Sequence, residues 1–521
     1  MKLPARPEAL ARLEKMQDVD VLIVGGGING AGLLRELAIN GVAALLVDKG
    51  DFASGATAAS SRMIHGGLRY LENGEFRLVA ESVAERDRLL RNAPHAVEPL
   101  ATTIPVLRRW AGIVDAILRP FRRTGRPPVR GLWLIRIGLT IYDVLTARRG
   151  ILPRHRIENR REALSRHPLL RQDIVGTATY HDAMVALPER LCLELIDDAL
   201  AASPDSLAVN YVALDGIAGD GVVLVDVLSG HRHTVRPRIM VNATGAWIDI
   251  ANAAVGTSTR FIGGTKGSHL VIDHPDLLAT CAGHQIFYEN AEGRICITFP
   301  VNGRMLVGST DLRIDHPDQA RCTDEEVDYI LASLRSVFPA LQIDHGHIVS
   351  RFCGVRPLPR SDAGSTGQIS RDHHIADLPP DADRPFPVLS MIGGKWTTFR
   401  AFAEQAADRI LPLLGRTRVA DSHMLAIGGH SPAPADADDA AIAAACVHEA
   451  VVHLDDLLLR RTAMGLFRPP DRERLEAVAR IAGAALGWDE VRINSEVERT
   501  TRVLSERHGV MIAPVKKMEK A

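Results

Sequence analysis

The stretch Asp20 to Gly30, DVLIVGGGING, constrains this chain more than any other. Val21 to Val24 is a short apolar run of the kind that forms a strand buried on both faces. Gly25, Gly27 and Gly30 follow in G-x-G-x-x-G register, and Ala31 to Asn40 has helical spacing that stops at Gly41. A second apolar run, Val42 to Val47, ends at Asp48, 18 residues beyond the last glycine. Strand, glycine turn, helix, strand and terminal acid, in that order, predict a dinucleotide-binding unit. The glycines let backbone approach a pyrophosphate at the helix N-terminus, where unpaired N–H groups favour an anion. Asp48 would accept a hydrogen bond from a ribose hydroxyl. FAD and NAD both satisfy this pattern.

The rest of the composition narrows the class. A chain of 521 residues holds two or three domains with full cores, and 46% hydrophobic with 24% charged residues describes a folded protein. A net charge of −1 gives no global attraction to nucleic acid, so a basic feature must be local. Six scattered cysteines (192, 281, 296, 322, 353, 446) form no C-x-x-C pair, which argues for a reducing compartment and against a metal site or disulfide framework. The N-terminus is polar and no run of about 18 apolar residues occurs, so a cytoplasmic-side protein without a spanning helix is expected.

After Asp48, residues 49–72 are dominated by small residues and glycines, suited to backbone wrapping closely around a flat or anionic ligand. Within them His65 to Tyr70 (HGGLRY) is either a surface turn or, being next to the nucleotide turn, a site loop. Residues 75–92 read as one amphipathic helix. Residues 108–149 carry ten arginines against two acids, Asp115 and Asp143, with Trp110, Trp133, Tyr142 and several isoleucines interleaved. That pattern fits an anionic membrane face, or equally a core helix with a solvated arginine face. Nucleic acid is not expected, since no recognisable nucleic-acid module accompanies it. Ile174 to Leu187 is mixed, and Pro188 to Leu200 reads as a helix. Strands are expected at 209–214, 222–227 and 238–242, the last running into Ala-Thr-Gly245. Short strands follow at 263–273, 285–289, 294–300 and 304–307, with Asn302-Gly303 as a hairpin turn. Asp324 to Phe338 reads as a helix. A strand at 387–392 enters a second glycine turn, Gly393-Gly394-Lys395, and a helix to Leu413. Residues 414–440 read as a linker and 441–521 as helical.

Four separated stretches resemble the FAD-dependent glycerol-3-phosphate dehydrogenases: VLIVGGGINGAG (21–32), SSRMIHGGLRYLE (60–72), CGVRPL (353–358) and GGKWTTFR (393–400). KGSH (266–269), VGSTD (307–311) and EAVVHLDDLLLRRTAMG (449–465) add to it. Arg62, Trp396 and Phe399 depart from the residues common in that family. The resemblance implies FAD as cofactor and an α/β fold: a Rossmann-like FAD-binding domain, an antiparallel β-sheet substrate domain and a C-terminal helical domain. The expected organisation is an N-terminal extension (1–17), a discontinuous FAD domain (18–74, 170–260, 350–413) and a substrate domain (75–169, 261–349) bearing the basic segment. A linker (414–440) and helical domain (441–521) complete it.

The resemblance further implies oxidation of glycerol 3-phosphate to dihydroxyacetone phosphate, with electrons passed to a membrane quinone. It implies a homodimer attached peripherally, through anionic inner-leaflet lipids, to the cytoplasmic face of the inner membrane. Gly25, Gly27, Gly30 and Asp48 would hold the ADP half of FAD, with Gly245 beside the first glycine turn. Ser60, Ser61, His65, Gly66, Gly67 and Leu68 would pass near the flavin, and Gly394, Lys395 and Thr397 would lie at its far edge. Arg69, Tyr70, His269 and Lys395 would bind and orient the substrate, with Thr310 and Asp311 close by. Arg356 would sit beside the reacting oxygen, and His269 is nominated as proton acceptor. Arg offers a planar fork to phosphate and Lys a compact charge. A cation at the C2 oxygen stabilises alkoxide character. The alternatives are an oxygen-using oxidase of the same substrate, an amine- or amino-acid-oxidising flavoenzyme of the same fold, and a non-catalytic FAD-binding module.

Overall fold

The computed structural model describes residues 2–68, 75–109, 131–147, 151–290, 292–360, 372–428 and 438–513. Two sheets organise it. The first has a parallel core in the order Val388–Ile392, Arg232–Asn242, Asp18–Val24, Ala44–Asp48 and Leu207–Asn210. His374–Leu378 closes one edge in the antiparallel sense, and the ribbon Val212–Ala218/Gly221–Asp226 extends from Arg232–Asn242. Strand alternation explains why the central strands read as unbroken apolar runs. Val21, Ile23 and Leu46 face the helices Ile28–Ile39, Pro188–Ala202 and Phe399–Leu413. Leu22, Val24, Leu45 and Val47 face the opposite layer, where Ala9 and Leu13 of the helix Arg6–Lys15 pack.

Among the described residues the second sheet has ten strands. Its centre joins Thr265–Ile272, Arg304–Gly308, Ile295–Val301 and Gln285–Glu289 in antiparallel order. Ile348–Arg356 pairs with Thr265–Ile272 along nearly its whole length. The hairpin turn falls at Asn302-Gly303, both with positive φ (50° and 75°), as a two-residue turn of this hand requires. One junction is parallel rather than antiparallel, Gln285–Ile286 beside Thr102–Thr103.

Pairing shifts several expected boundaries. Gly176–Val185, which reads as mixed, pairs over ten residues with Val97–Val106, and so lies in the second sheet rather than with the FAD domain. Met63–Ile64 and Ile348–Arg356 lie in the second sheet for the same reason. The described part of the 414–440 linker is pinned to the first domain: Arg418 pairs with Glu36, Val419 N–H donates to Asn40, and Ile427 is buried. Most of the 108–149 segment falls outside the described residues; its described part includes the helix Leu132–Ala147. All six cysteines are free thiols.

The C-terminal helices, including Arg472–Leu486 and Glu490–His508, build their own core and dock through a buried ionic cluster. Asp51, three residues past Asp48, receives Arg461 through both oxygens (2.5 and 2.9 Å) and also pairs with Arg460. Burial alone would raise the Asp51 carboxyl, but the two guanidinium groups hold it below its ordinary value. Arg460 also binds Asp456 (2.5 Å), to which the Tyr211 hydroxyl donates (2.6 Å). Because all these groups are desolvated, removing one charge leaves another uncompensated. Arg461→Met should therefore cost about 3–5 kcal/mol, read as a fall in the thermal unfolding midpoint that Arg461→Lys partly restores. An unchanged midpoint would contradict this role.

Candidate active site

The cofactor end of the site follows from the first turn. Gly25 has φ +111°, and a Cβ there would lie 2.6 Å from the Ala243 carbonyl oxygen; a Cβ on Gly30 would lie 1.9 Å from the Gly25 oxygen. Only glycine fits either position, and the helix Ile28–Ile39 is thereby set against the strand. Its N-cap, Gly27, has no side-chain cap and its first turn carries no acid. Its N-terminus opens on a cleft of about 1030 Å³ lined by Gly25, Gly27, Ile28 and Asn29. Asp48 lines the same cleft and accepts from Gly26 N–H (2.7 Å) and Gly50 N–H (2.8 Å). Burial raises its carboxyl to about 6, against the pull of those two donors. These features fit the pyrophosphate and ribose of an adenine dinucleotide.

The loop after Met63–Ile64 and the second glycine turn meet at the far end. Thr397 Oγ1 accepts from His65 N–H (3.2 Å), Gly66 N–H donates to Asp182 (2.9 Å), and Gly393 and Gly394 both have positive φ. Ser60, Ser61, His65, Gly245, Gly394, Lys395 and Thr397 line the cleft. Gly30, Gly66, Gly67 and Leu68 do not: Gly30 serves helix–strand contact, and a Cβ on Gly66 would strike the Tyr142 hydroxyl. Arg62 is buried behind this loop, pairing with Glu189 (3.0 Å) and lying 5.2 Å from the Phe467 ring centre. That contact ties the loop to the C-terminal helices.

The second sheet supplies the candidate reactive side chains. Along Thr265–Ile272, alternation sends Gly267 and His269 to the cleft. Lys266 and Ser268 turn back to Glu326 (2.7 and 2.9 Å) on the helix Asp324–Val337. On the neighbouring strand Arg356 lies opposite Thr265, and Phe352 opposite His269, stacked on its ring at 5.1 Å. A Cβ on Gly267 would lie 2.2 Å from the Arg356 guanidinium, and one on Gly308 2.2 Å from the His269 ring. The two bare positions are thus seats for the Arg356 and His269 side chains. Arg356 donates to Asp311 (3.1 Å), Ser309 Oγ (3.1 Å) and the Thr310 carbonyl (3.2 Å). Lys395 Nζ donates to Ser82 Oγ (2.5 Å).

His269 is buried, with Ser61 Oγ 2.9 Å from its Nε2. Burial, reinforced by Arg356 and Arg62, lowers its pKa to about 3, so the ring is neutral near pH 7. The site therefore couples a fixed cation to an uncharged imidazole, a pair able to stabilise an oxyanion and to accept a proton. Thr310 does not belong to this surface. Its hydroxyl accepts from Ser268 N–H (2.9 Å) and donates to Glu326 (2.6 Å), behind the sheet. Arg69 and Tyr70 lie outside the described residues. Sequence reasoning missed Arg294, which lines the cleft and pairs with Asp311 (3.0 Å). A single arginine opening a strand carries no pattern that could have revealed it. The described residues contain no cluster of three or more groups able to hold a metal.

Comparison with known proteins agrees with this geometry. Residues 20–409 match the family described as FAD dependent oxidoreductase. A glycerol-3-phosphate dehydrogenase of Synechocystis sp. is 36% identical over 417 residues, spanning 76% of this chain and 71% of the relative. A D-erythritol 1-phosphate dehydrogenase of Brucella abortus is 31% identical, spanning 76% of this chain and 75% of its own. In structure the chain resembles a glycerol-3-phosphate dehydrogenase of Bacillus halodurans complexed with FAD, with TM-score 0.73, 22% identity, and coverage of 96% and 97%. With a cleft that fits an adenine dinucleotide and a family match across three-quarters of its length, this chain belongs to the FAD-dependent oxidoreductases, within the group of the glycerol-3-phosphate dehydrogenases.

Proposed function

We propose that the chain oxidises sn-glycerol 3-phosphate to dihydroxyacetone phosphate and passes the electrons to a membrane quinone. The observation that carries this is the placement of Arg356 and neutral His269 side by side on a glycine-cleared sheet face, in the cleft that Lys395 also lines. Bound FAD would supply the acceptor for the hydride leaving C2. Arg356, held by Asp311, Ser309 and the Thr310 carbonyl, stabilises negative charge on the C2 oxygen as that hydride leaves. His269 takes the hydroxyl proton, and an arriving phosphate dianion raises the ring's proton affinity from its low resting value. Lys395 meets the phosphate as a point charge, with Arg69 and Tyr70 completing that set by sequence resemblance. Asp48 holds the ribose, and the open N-terminus of Ile28–Ile39 holds the pyrophosphate.

The membrane side of the proposal rests on the helix Leu132–Ala147. Leu139 and Tyr142 anchor one face in a buried cluster, and Tyr142 donates to Asp182 (2.8 Å). Trp133, Ile137, Ile141 and Val144, at helical spacing, are exposed on another. Arg136 lies 5.5 Å from the Trp133 ring centre, and exposed Arg108 and Arg109 accept at the helix start through their carbonyls. An apolar stripe edged by arginine suits an anionic leaflet, which supports peripheral attachment to the cytoplasmic face. No helix among the described residues is long and apolar enough to cross a membrane.

Anaerobic addition of glycerol 3-phosphate should bleach the bound flavin, and a quinone analogue should restore its colour faster than air does. Bleaching by an amino acid alone would point to an amine oxidase, and stoichiometric peroxide in air to an oxidase. Faster bleaching by D-erythritol 1-phosphate would assign a longer polyol. Arg356→Ala should retain FAD while slowing flavin reduction about 10²–10³-fold; unchanged reduction kinetics would contradict its role. Trp133→Asp with Ile137→Asp should abolish co-sedimentation with phosphatidylglycerol vesicles, which in the unaltered protein weakens as salt rises. Undiminished vesicle binding would overturn the membrane assignment, and conversion of a dimer to a monomer would assign the face to self-association.

A further inference from the structure

Arg294, just before the strand Ile295–Val301, and Arg356, at the end of Ile348–Arg356, reach the same carboxylate. Arg356 Nη1 lies 3.1 Å from Asp311 Oδ1, and Arg294 Nη2 lies 3.0 Å from Asp311 Oδ2. The Asp311 side chain is 8% exposed, those of Arg356 and Arg294 25% and 30%, and all three line the cleft. Arg294 is positioned through its backbone. It ends a turn braced by buried Asn290, whose Oδ1 accepts from Glu292 N–H (3.1 Å) and Arg294 N–H (3.0 Å). The Asn290 amide in turn donates to the Tyr329 hydroxyl (2.6 Å) and Ser333 Oγ (3.2 Å). Glu292 also lines the cleft and accepts from the Tyr329 hydroxyl at 3.2 Å.

We propose that Arg294 is a positioning residue for Arg356, acting through Asp311 so that the Arg356 charge stays available to an anionic substrate. This deepens the reading of the site as one for a phosphorylated polyol and rests on it. A carboxylate and a guanidinium pair best as a two-pronged fork. With Arg294 holding Oδ2, Asp311 meets Arg356 through Oδ1, and the Arg356 guanidinium keeps its orientation over Gly267. Without Arg294, both carboxylate oxygens can turn to Arg356. Its charge is then neutralised locally, and its donors rotate away from the reacting oxygen.

The test is a double-mutant cycle on the holoenzyme. Calorimetric titration with inorganic phosphate reads anion binding, and steady-state assay with glycerol 3-phosphate reads KM and kcat. Arg294→Met should weaken phosphate binding and raise KM about tenfold or more, at full flavin content. Arg294→Lys should keep most of the affinity, because a point charge can still hold one oxygen. In an Asp311→Asn background, Arg294→Met should have at most about a twofold effect, since the carboxylate it restrains is gone. A full effect of Arg294→Met in that background, or none in either background, overturns the proposal. So does an Arg294→Lys variant as impaired as Arg294→Met. Phosphate binding that follows the cycle in a protein that does not turn over glycerol 3-phosphate would indict the substrate assignment and leave the Arg294 role standing.

Discussion

The whole arrangement depends on one close backbone approach. Gly30 comes so near the Gly25 carbonyl that no other residue fits, and Gly25 itself is pressed against Ala243. This contact fixes the helix Ile28–Ile39 against the parallel core and aims its N-terminus, where Ile28 N–H donates to Thr57 Oγ1 (3.0 Å), into the cleft. The same core carries Asp48, and Asp51 beyond it is held by Arg460 and Arg461 of the C-terminal helices. The nucleotide end is therefore braced from two sides, by sterics within the first sheet and by buried charge from the chain's last domain. Arg62 adds a third tie, reaching Glu189 and Phe467 from behind the loop that wraps the cleft.

The far end is governed by electrostatics rather than by contact. The second sheet places His269 and Arg356 on adjacent antiparallel strands, with glycines beneath both. Burial keeps the imidazole uncharged, and the neighbouring guanidinium reinforces that state. A neutral acceptor beside a permanent cation suits removal of a proton from an alcohol whose carbon is losing a hydride. Glu326, behind the sheet, gathers Lys266, Ser268 and Thr310; strand alternation splits KGSH between this support and the cleft, and beyond the strand Arg304–Gly308 the chain turns Thr310 to Glu326 and Asp311 to the cleft.

The parts legible in the sequence are those governed by local pattern. The apolar runs and glycine spacing of Asp18 to Asp48, the Asn302-Gly303 turn and the helices Phe76–Asn92 and Asp324–Val337 all follow from periodicity and turn chemistry. Gly176–Val185 is not legible in that way. Its buried polar residues find partners far along the chain, Thr179 with Thr103 and Asp182 with Arg86, so its alternation does not mark it as a strand. Residues 414–428 look like a linker by composition, yet ion pairs to Glu36 and hydrogen bonds to Asn40 fasten them down. At the site, resemblance brought His269, Arg356, Asp311 and Lys395 into one cleft, whereas Thr310 turned out to face Glu326. Arg294 needed the structure, because its meaning lies in a carboxylate seventeen residues away in sequence and shared with Arg356 on the strand Ile348–Arg356.

Bond breaking at C2 would bring the two ends together: the first sheet lines the end that fits an adenine dinucleotide, and the second carries Arg356 and His269. Rapid mixing of the anaerobic holoenzyme with glycerol 3-phosphate carrying deuterium at C2 tests that meeting most directly. Loss of flavin absorbance should be slower than with the protiated substrate at saturation. Equal rates for the two isotopologues in a chemistry-limited Arg356→Ala variant would contradict C2–H cleavage as the step these residues serve.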